Sequence, residues 1–195
     1  MPFLSFLLFV FVSSFTPGPN NFMAMSFANN YGFKKTIKFC IGVAFGFFVL
    51  ALLCSVFNLL LAKLLPIIKT PLTILGVGYI LYLAYKTLTN KDIKNERNDR
   101  SDKNLFIIGA FVQFINPKGI LYGITVVSNF ILPYYTTYFS FFIFSLLLGI
   151  VGLLSSLSWS LFGSIFQNLL AKYRPFFNII MALLLVYSAV SIVFH

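Results

Sequence analysis

The chain has 195 residues, 59% of them hydrophobic and only 9% charged, with a mean hydropathy of +0.95. A soluble domain carries roughly 25% charged residues, so the composition excludes a soluble protein and points to one integral membrane domain. The net charge of +10 is spread in short clusters between apolar stretches, the pattern of juxtamembrane anchors rather than of a nucleic-acid surface.

Six apolar segments follow in chain order: 3–28, 36–62, 65–86, 105–129, 136–165 and 175–194. Each meets the roughly 20 residues that a helix needs to cross a bilayer. The first has no basic leader and no convincing cleavage site, so it reads as a retained span. The fifth is overlong, and a bend is expected near Gly149, Gly152 and the Ser155-Ser156 pair. Pro66 and Pro71 mark the turn between the second and third spans, Pro133 the turn before the fifth, and Pro175 opens the sixth. The polar linker 90–103 divides one membrane domain, 1–195, into halves 1–89 and 104–195. The expected fold is all-α: six transmembrane helices as two inverted three-helix repeats.

Loop charges orient these spans. One side receives Lys34, Lys35, Lys38, Lys86, Lys91, Lys94, Arg97, Arg100, Lys103, Lys172 and Arg174; the other receives only Lys63 and Lys69. The rich side is expected in the cytoplasm, with both termini extracytoplasmic. Three spans per half then send the second half through the membrane with opposite polarity, making the first and fourth spans topological equivalents.

Each of those two spans is broken by proline. The first contains Thr16-Pro17-Gly18-Pro19-Asn20-Asn21 and the fourth Asn116-Pro117-Lys118-Gly119. Proline removes a helix hydrogen bond and clashes with the preceding turn. In lipid such a break survives only where protein or a wet cavity satisfies the freed groups, and matched breaks in two halves point to a binding site. From Phe3 to Pro17 is ~21 Å of helix and from Leu105 to Lys118 ~20 Å, so both breaks fall near the centre of a ~30 Å core.

Thr16 is expected to cap a new helical segment with Pro17 at its first position, or Asn20 or Asn21 to take over the cap; Asn116 and Pro117 do the same in the fourth span. Two helix N-termini, with Lys118, then offer donors to an anion such as a carboxylate. The carbonyls ending the first half-helices near Phe15 and Ile115 offer acceptors to an ammonium group. So do the side-chain oxygens of Thr16, Asn20, Asn21, Gln113 and Asn116. A site with donors and acceptors but no fixed negative charge suits a free amino acid. All four acidic residues, Asp92, Glu96, Asp99 and Asp102, lie outside the apolar segments or at their edge.

Gly42 and Gly46 form a GxxxG, read with Gly76 and Gly78 as helix-packing positions. Tyr79, Tyr82 and Tyr85 form a stripe in which Tyr79 lies deep enough to line a cavity. Lys86 reads as an interfacial anchor, Trp159 as interface or core, and His195 as inert. Cys40 and Cys54 share one helix roughly 21 Å apart, too far to bridge. No cofactor is expected.

In these motifs the chain resembles the LysE/RhtB family of bacterial amino-acid exporters. Residues 16–21 match its N-terminal signature, Gly42 to Gly46 its glycine-spaced second span, residues 75–86 its tyrosine-rich third-span segment, and 114–119 its Asn-Pro-Lys motif. The resemblance implies six spans in a bacterial inner membrane and export of an amino acid or related metabolite, with alternating access driven by the proton gradient as the expected mechanism. The implied partners are that small molecule and lipid, with homo-oligomerisation compatible. With no intramembrane carboxylate, the proton is left to Lys118, water or the substrate. Two other readings compete: metal-ion efflux, for which only the two cysteines are available as soft ligands, and a non-transporting membrane scaffold. A thiol–disulfide carrier would need cysteines able to meet.

Overall fold

Thr16 precedes a proline, which disfavours helical backbone, and takes an extended conformation with ψ 141°. In the computed structural model, α1 (Phe3–Phe15) therefore stops one residue earlier, and α2 (Pro19–Tyr31) resumes after Gly18 at 48° to it. The structure describes residues 1–57 and 102–165, with scattered positions between 71 and 88 and between 176 and 190. Gly32 alone joins α2 to α3 (Phe33–Val56). Its φ of +84° belongs to the region where a side chain is strained, and it permits a one-residue corner. The expected spans 3–28 and 36–62 are corrected accordingly: the first helix runs to Tyr31 and the next begins at Phe33, because one left-handed residue replaces the anticipated loop.

The second described stretch repeats the pattern. After α4 (Asp102–Ile115), Asn116 is extended ahead of Pro117, and α5 (Pro117–Val126) departs at 66°. A π-turn, Val127–Ile131, widens the end of α5 before the connection to α6 (Tyr138–Ile165). Thr137 Oγ1 accepts the Ser140 N–H at 3.3 Å at the start of α6. No break interrupts α6 at Gly149, Gly152 or Ser155-Ser156. Those small residues are packing and bonding positions instead.

Helix α3 is the central element, packed on α4, α6 and α2. Its seam with α4 is backbone against backbone. A Cβ on Gly42 would strike the carbonyl of Phe106, one on Gly46 the carbonyl of Ala110, and one on Gly109 the carbonyl of Phe39. Small residues permit such approach where lipid supplies no hydrophobic drive between helices. On the α6 side, a Cβ on Gly149 would lie 3.1 Å from the Ala44 carbonyl oxygen.

Two buried clusters flank the breaks. Phe6 and Val10 of α1 share a core with Ile120 and Val126 of α5, together with Phe47, Leu50 and Leu148. Met23 and Ala24 of α2 share another with Leu105 and Val112 of α4, together with Phe39 and Val43. The first half of one broken helix thus shares a core with the second half of the other, α3 supplying part of each core. Cys40 and Cys54 are buried and free, one in each cluster.

Outward faces carry Phe, Leu and Ile. Leu4, Phe11, Phe111 and Phe139 are each more than half exposed, a surface that water would penalise and acyl chains accept. Alone, α3 and α6 are long and apolar enough to cross a membrane, and α1–α2 and α4–α5 qualify as bent pairs. Most of the third span 65–86, of the sixth 175–194 and of the linker, with Gly76, Tyr79, Lys86 and His195, lies outside the described residues.

Candidate site at the two helix breaks

At the first break the Thr16 hydroxyl turns back to the Val12 carbonyl, and its N–H bonds the same oxygen at 2.9 Å. Thr16 therefore closes α1 and does not cap α2. Gly18 holds the N-cap position of α2 without a side-chain bond, and Pro19 rather than Pro17 takes the first helical position. The expected roles of Thr16 and Pro17 are corrected on this ground: Pro17 forces Thr16 out of helical backbone, so the helix restarts only at the second proline.

Asn20 and Asn21 sit inside the first turn of α2 and do not cap it. Asn21 reaches back over the break, its Nδ2 donating to the Ser14 carbonyl at 3.0 Å and the Thr16 carbonyl at 3.1 Å. Helix α6 adds two donors. Ser155 Oγ donates to the Ser14 carbonyl at 2.7 Å and lies 3.3 Å from Asn21 Oδ1; Trp159 Nε1 donates to the Phe15 carbonyl at 3.3 Å.

At the second break Asn116 is the cap expected of it, its Oδ1 accepting the Lys118 N–H at 3.1 Å with Pro117 at the first helical position. Lys118 then leaves α5 and crosses to the other break. Its Nζ donates to the Thr16 carbonyl at 3.1 Å and the Pro17 carbonyl at 3.3 Å. A Cβ on Gly18 would come within 3.1 Å of that Nζ, so residue 18 must be small for the lysine to arrive. One turn along α5, Tyr122 Oη is 3.2 Å from Ser14 Oγ, and its ring stacks on Phe47 at 5.0 Å.

Of the carbonyls expected to await an ammonium group, those at the first break are therefore already engaged in this structure. Asn21 and Ser155 serve Ser14, Trp159 serves Phe15, and Lys118 serves Thr16 and Pro17. An end of a helix without such partners would be costly in a medium that offers no water. Lysine has three N–H donors, two of them used here, so one remains for another acceptor.

Between the breaks lies a cavity of about 60 Å³, room for a few waters or a small polar group. Gly18, Pro19, Asn20, Asn21, Asn116, Lys118 and Gly119 line it from the two breaks; Gln113, Ser14, Tyr122, Ser155 and Ser156 add polar groups, and Val43 and Phe47 an apolar wall. Lys118 is the charged residue among the described lining. Thr16 and Pro17 meet it through their carbonyls, and Pro117 is buried behind it. Gly42 and Gly46 stand on α3, against α4.

Two polar atoms of lining residues, Gln113 Nε2 and Asn20 Oδ1, are buried without a partner. Each such group costs about 1–3 kcal/mol when left unmade. No group of His, Cys, Asp and Glu able to hold a metal ion occurs among the described residues.

Ser14 and Tyr122 escaped the sequence reading, and Ser155 and Trp159 were visible there only as a bend and an interface residue. A signal was present. Lys118 and Tyr122, like Ser155 and Trp159, are spaced i, i+4 and share a face of otherwise apolar helices.

Bent apolar helices enclosing a polar cavity with a lysine inside define a membrane transport protein. The chain belongs to the LysE type translocators, whose family model matches residues 11–195. Its relatives include the cysteine/O-acetylserine efflux proteins of Salmonella choleraesuis and Salmonella typhi, each 38% identical over 188 residues, 96% of this chain and 95% of theirs. The cysteine/O-acetylserine efflux protein of Escherichia coli O1:K1 is 36% identical over 190 residues, with the same shares covered. No solved structure matches the chain.

Proposed function

We propose that this translocator exports a small amino acid with an uncharged side chain across a bacterial inner membrane, cysteine and O-acetylserine being the first candidates from the names of its relatives. The site is the cavity at the two breaks, formed by residues 16–21 and by Asn116, Pro117 and Lys118. The carrying observation is the reach of Lys118 from one break to the Thr16 and Pro17 carbonyls of the other, beside a polar cavity. The substrate's ammonium replaces that of Lys118 at these carbonyls, and the freed lysine meets its carboxylate. N-termini of α2 and α5 add partial positive charge on the carboxylate side. The absence of any carboxylate from the described lining disfavours a cationic side chain.

The domain is one unit, 1–195, of six spans in two inverted halves, 1–89 and 104–195, around the linker 90–103. Supporting this is the crosswise sharing of cores, α1 with α5 and α2 with α4, each completed by α3, as equivalent helices of opposite polarity would produce. The eleven-to-two loop bias in Lys and Arg supports cytoplasmic basic loops and extracytoplasmic termini. Alternating access at the cavity, driven by the proton gradient, completes the proposal.

Cells expressing the chain should release L-cysteine or O-acetyl-L-serine faster than controls, and a protonophore should remove the difference. Equal release from both cell lines across the amino acids refutes export; release that survives the protonophore refutes only the coupling.

A further inference from the structure

Gln113 is a buried amide in an apolar helix, 1% exposed; the residue belongs to the cavity wall, and its Nε2 is buried with no partner. Two glycines hold it. A Cβ on Gly46 would lie 2.9 Å from Gln113 Cγ, and one on Gly119 would lie 3.3 Å from Oε1. A side chain at Gly46 would strike the Ala110 backbone and the Gln113 stem together, and one at Gly119 would press on the amide oxygen. Its Oε1 faces the first turn of α5, where helix N–H groups carry partial positive charge. Nε2 is the end of the amide left buried without a bond. Across the cavity, in the first turn of α2, Asn20 Oδ1 is a buried acceptor equally without a partner.

One donor and one acceptor, each buried and unmade, match the two charged ends of a zwitterion. We infer that Gln113 and Asn20 are the residues that read those ends: Gln113 Nε2 donates to the substrate's carboxylate, and Asn20 Oδ1 accepts from its ammonium. This rests on the proposed amino-acid export and assigns roles within that site. Gln113 works beside the freed Lys118, so the carboxylate is met by one charged and one neutral donor. Such a site rejects analogues lacking either end, because a buried polar group is then left unpaired again.

The test uses the full chain in proteoliposomes, with labelled L-cysteine as transported probe. Competitors are L-cysteine methyl ester, which lacks the carboxylate, and 3-mercaptopropionate, which lacks the ammonium. Gln113→Met keeps the length without the donor; it should raise the half-saturation for cysteine about tenfold while leaving inhibition by the ester unchanged. Asn20→Ala should erase discrimination against 3-mercaptopropionate. Unchanged half-saturation in Q113M, or equal weakening of cysteine and ester, would overturn the assignment, the latter marking a structural role. Should Q113M not reach the membrane, Gln113→Glu decides, since it keeps the shape and turns donor into acceptor. Weaker cysteine with stronger ester binding supports the inference, and wild-type preference defeats it. The wild type is measured first: no transport of cysteine or O-acetylserine there brings down the export reading itself, whereas transport with indifferent variants brings down only this inference.

Discussion

The two helix breaks reach the same cavity by different means. The second is local: Asn116 caps α5 with its own side chain, one residue is lost from the helix, and the chain turns by 66°. The first has three non-helical residues and no side-chain cap on α2, and is held by side chains from elsewhere. Asn21 crosses it, Ser155 and Trp159 reach it from α6, and Lys118 reaches it from the other break. A locally capped break keeps its geometry whatever packs around it. A break held by tertiary bonds changes when those partners move, which is the property an alternating site needs in one of its two walls.

The largest effect is expected from cutting the tie between them. Lys118→Met removes two charge-assisted hydrogen bonds of about 1.5–3 kcal/mol each, enough to lower transport at least about a hundredfold. The protein should still accumulate in the membrane, because loss of the lysine also removes the cost of its burial. Efflux within twofold of wild type would show that the first break does not depend on the second.

Next come the two asparagines, compared directly. Asn116→Ala loses a helix cap, about 1 kcal/mol. Asn21→Ala loses two bonds to the Ser14 and Thr16 carbonyls and the neighbouring Ser155 contact, about 2 kcal/mol. Thermal midpoints of the purified variants should therefore fall further for Asn21. Combined with Ser155→Ala, Asn21→Ala should be non-additive and Asn116→Ala additive. The reverse order would mean that the first break is as locally determined as the second.

The same contrast explains what could be read without coordinates. The Asn116 cap and Pro117 at the first helical position were legible because every group involved lies within three residues. The failed cap assignments all concern the first break. Thr16 and Pro17 offered an equally good local cap, and nothing nearby in sequence reveals that Pro19 competes with Pro17 for the first position. That the carbonyls of residues 14–17 are taken depends on residues 101 to 144 positions distant, Lys118, Ser155 and Trp159 among them. The glycines tell a similar story: GxxxG marks Gly42 and Gly46 as packing positions, yet not that α4 is the partner or that Gly46 seats Gln113.

A smaller effect separates space from bonding. At Gly18 the backbone is extended, with φ −171° and ψ 172°, so alanine is unstrained there. Its Cβ would lie 3.1 Å from Lys118 Nζ, which is the movable end of a long side chain. Gly18→Ala should therefore weaken transport about fivefold, roughly 1 kcal/mol, with little loss of stability. A variant that unfolds instead would place the glycine requirement in the backbone of the break.

Trp159→Phe is expected to do least, and it is the most discriminating about α6. Phenylalanine retains the ring that meets Phe22 edge-on at 5.7 Å and removes only the indole bond to the Phe15 carbonyl. That loss is about 0.5–1.5 kcal/mol, and a wet cavity next to the break can return part of it by sending a water to the carbonyl. Transport should fall no more than about threefold, with a small drop in thermal midpoint. A loss as large as that of Asn21→Ala would mean that water does not reach Phe15. The first break would then be dry on its α6 side, and movement would be confined to the side facing Lys118.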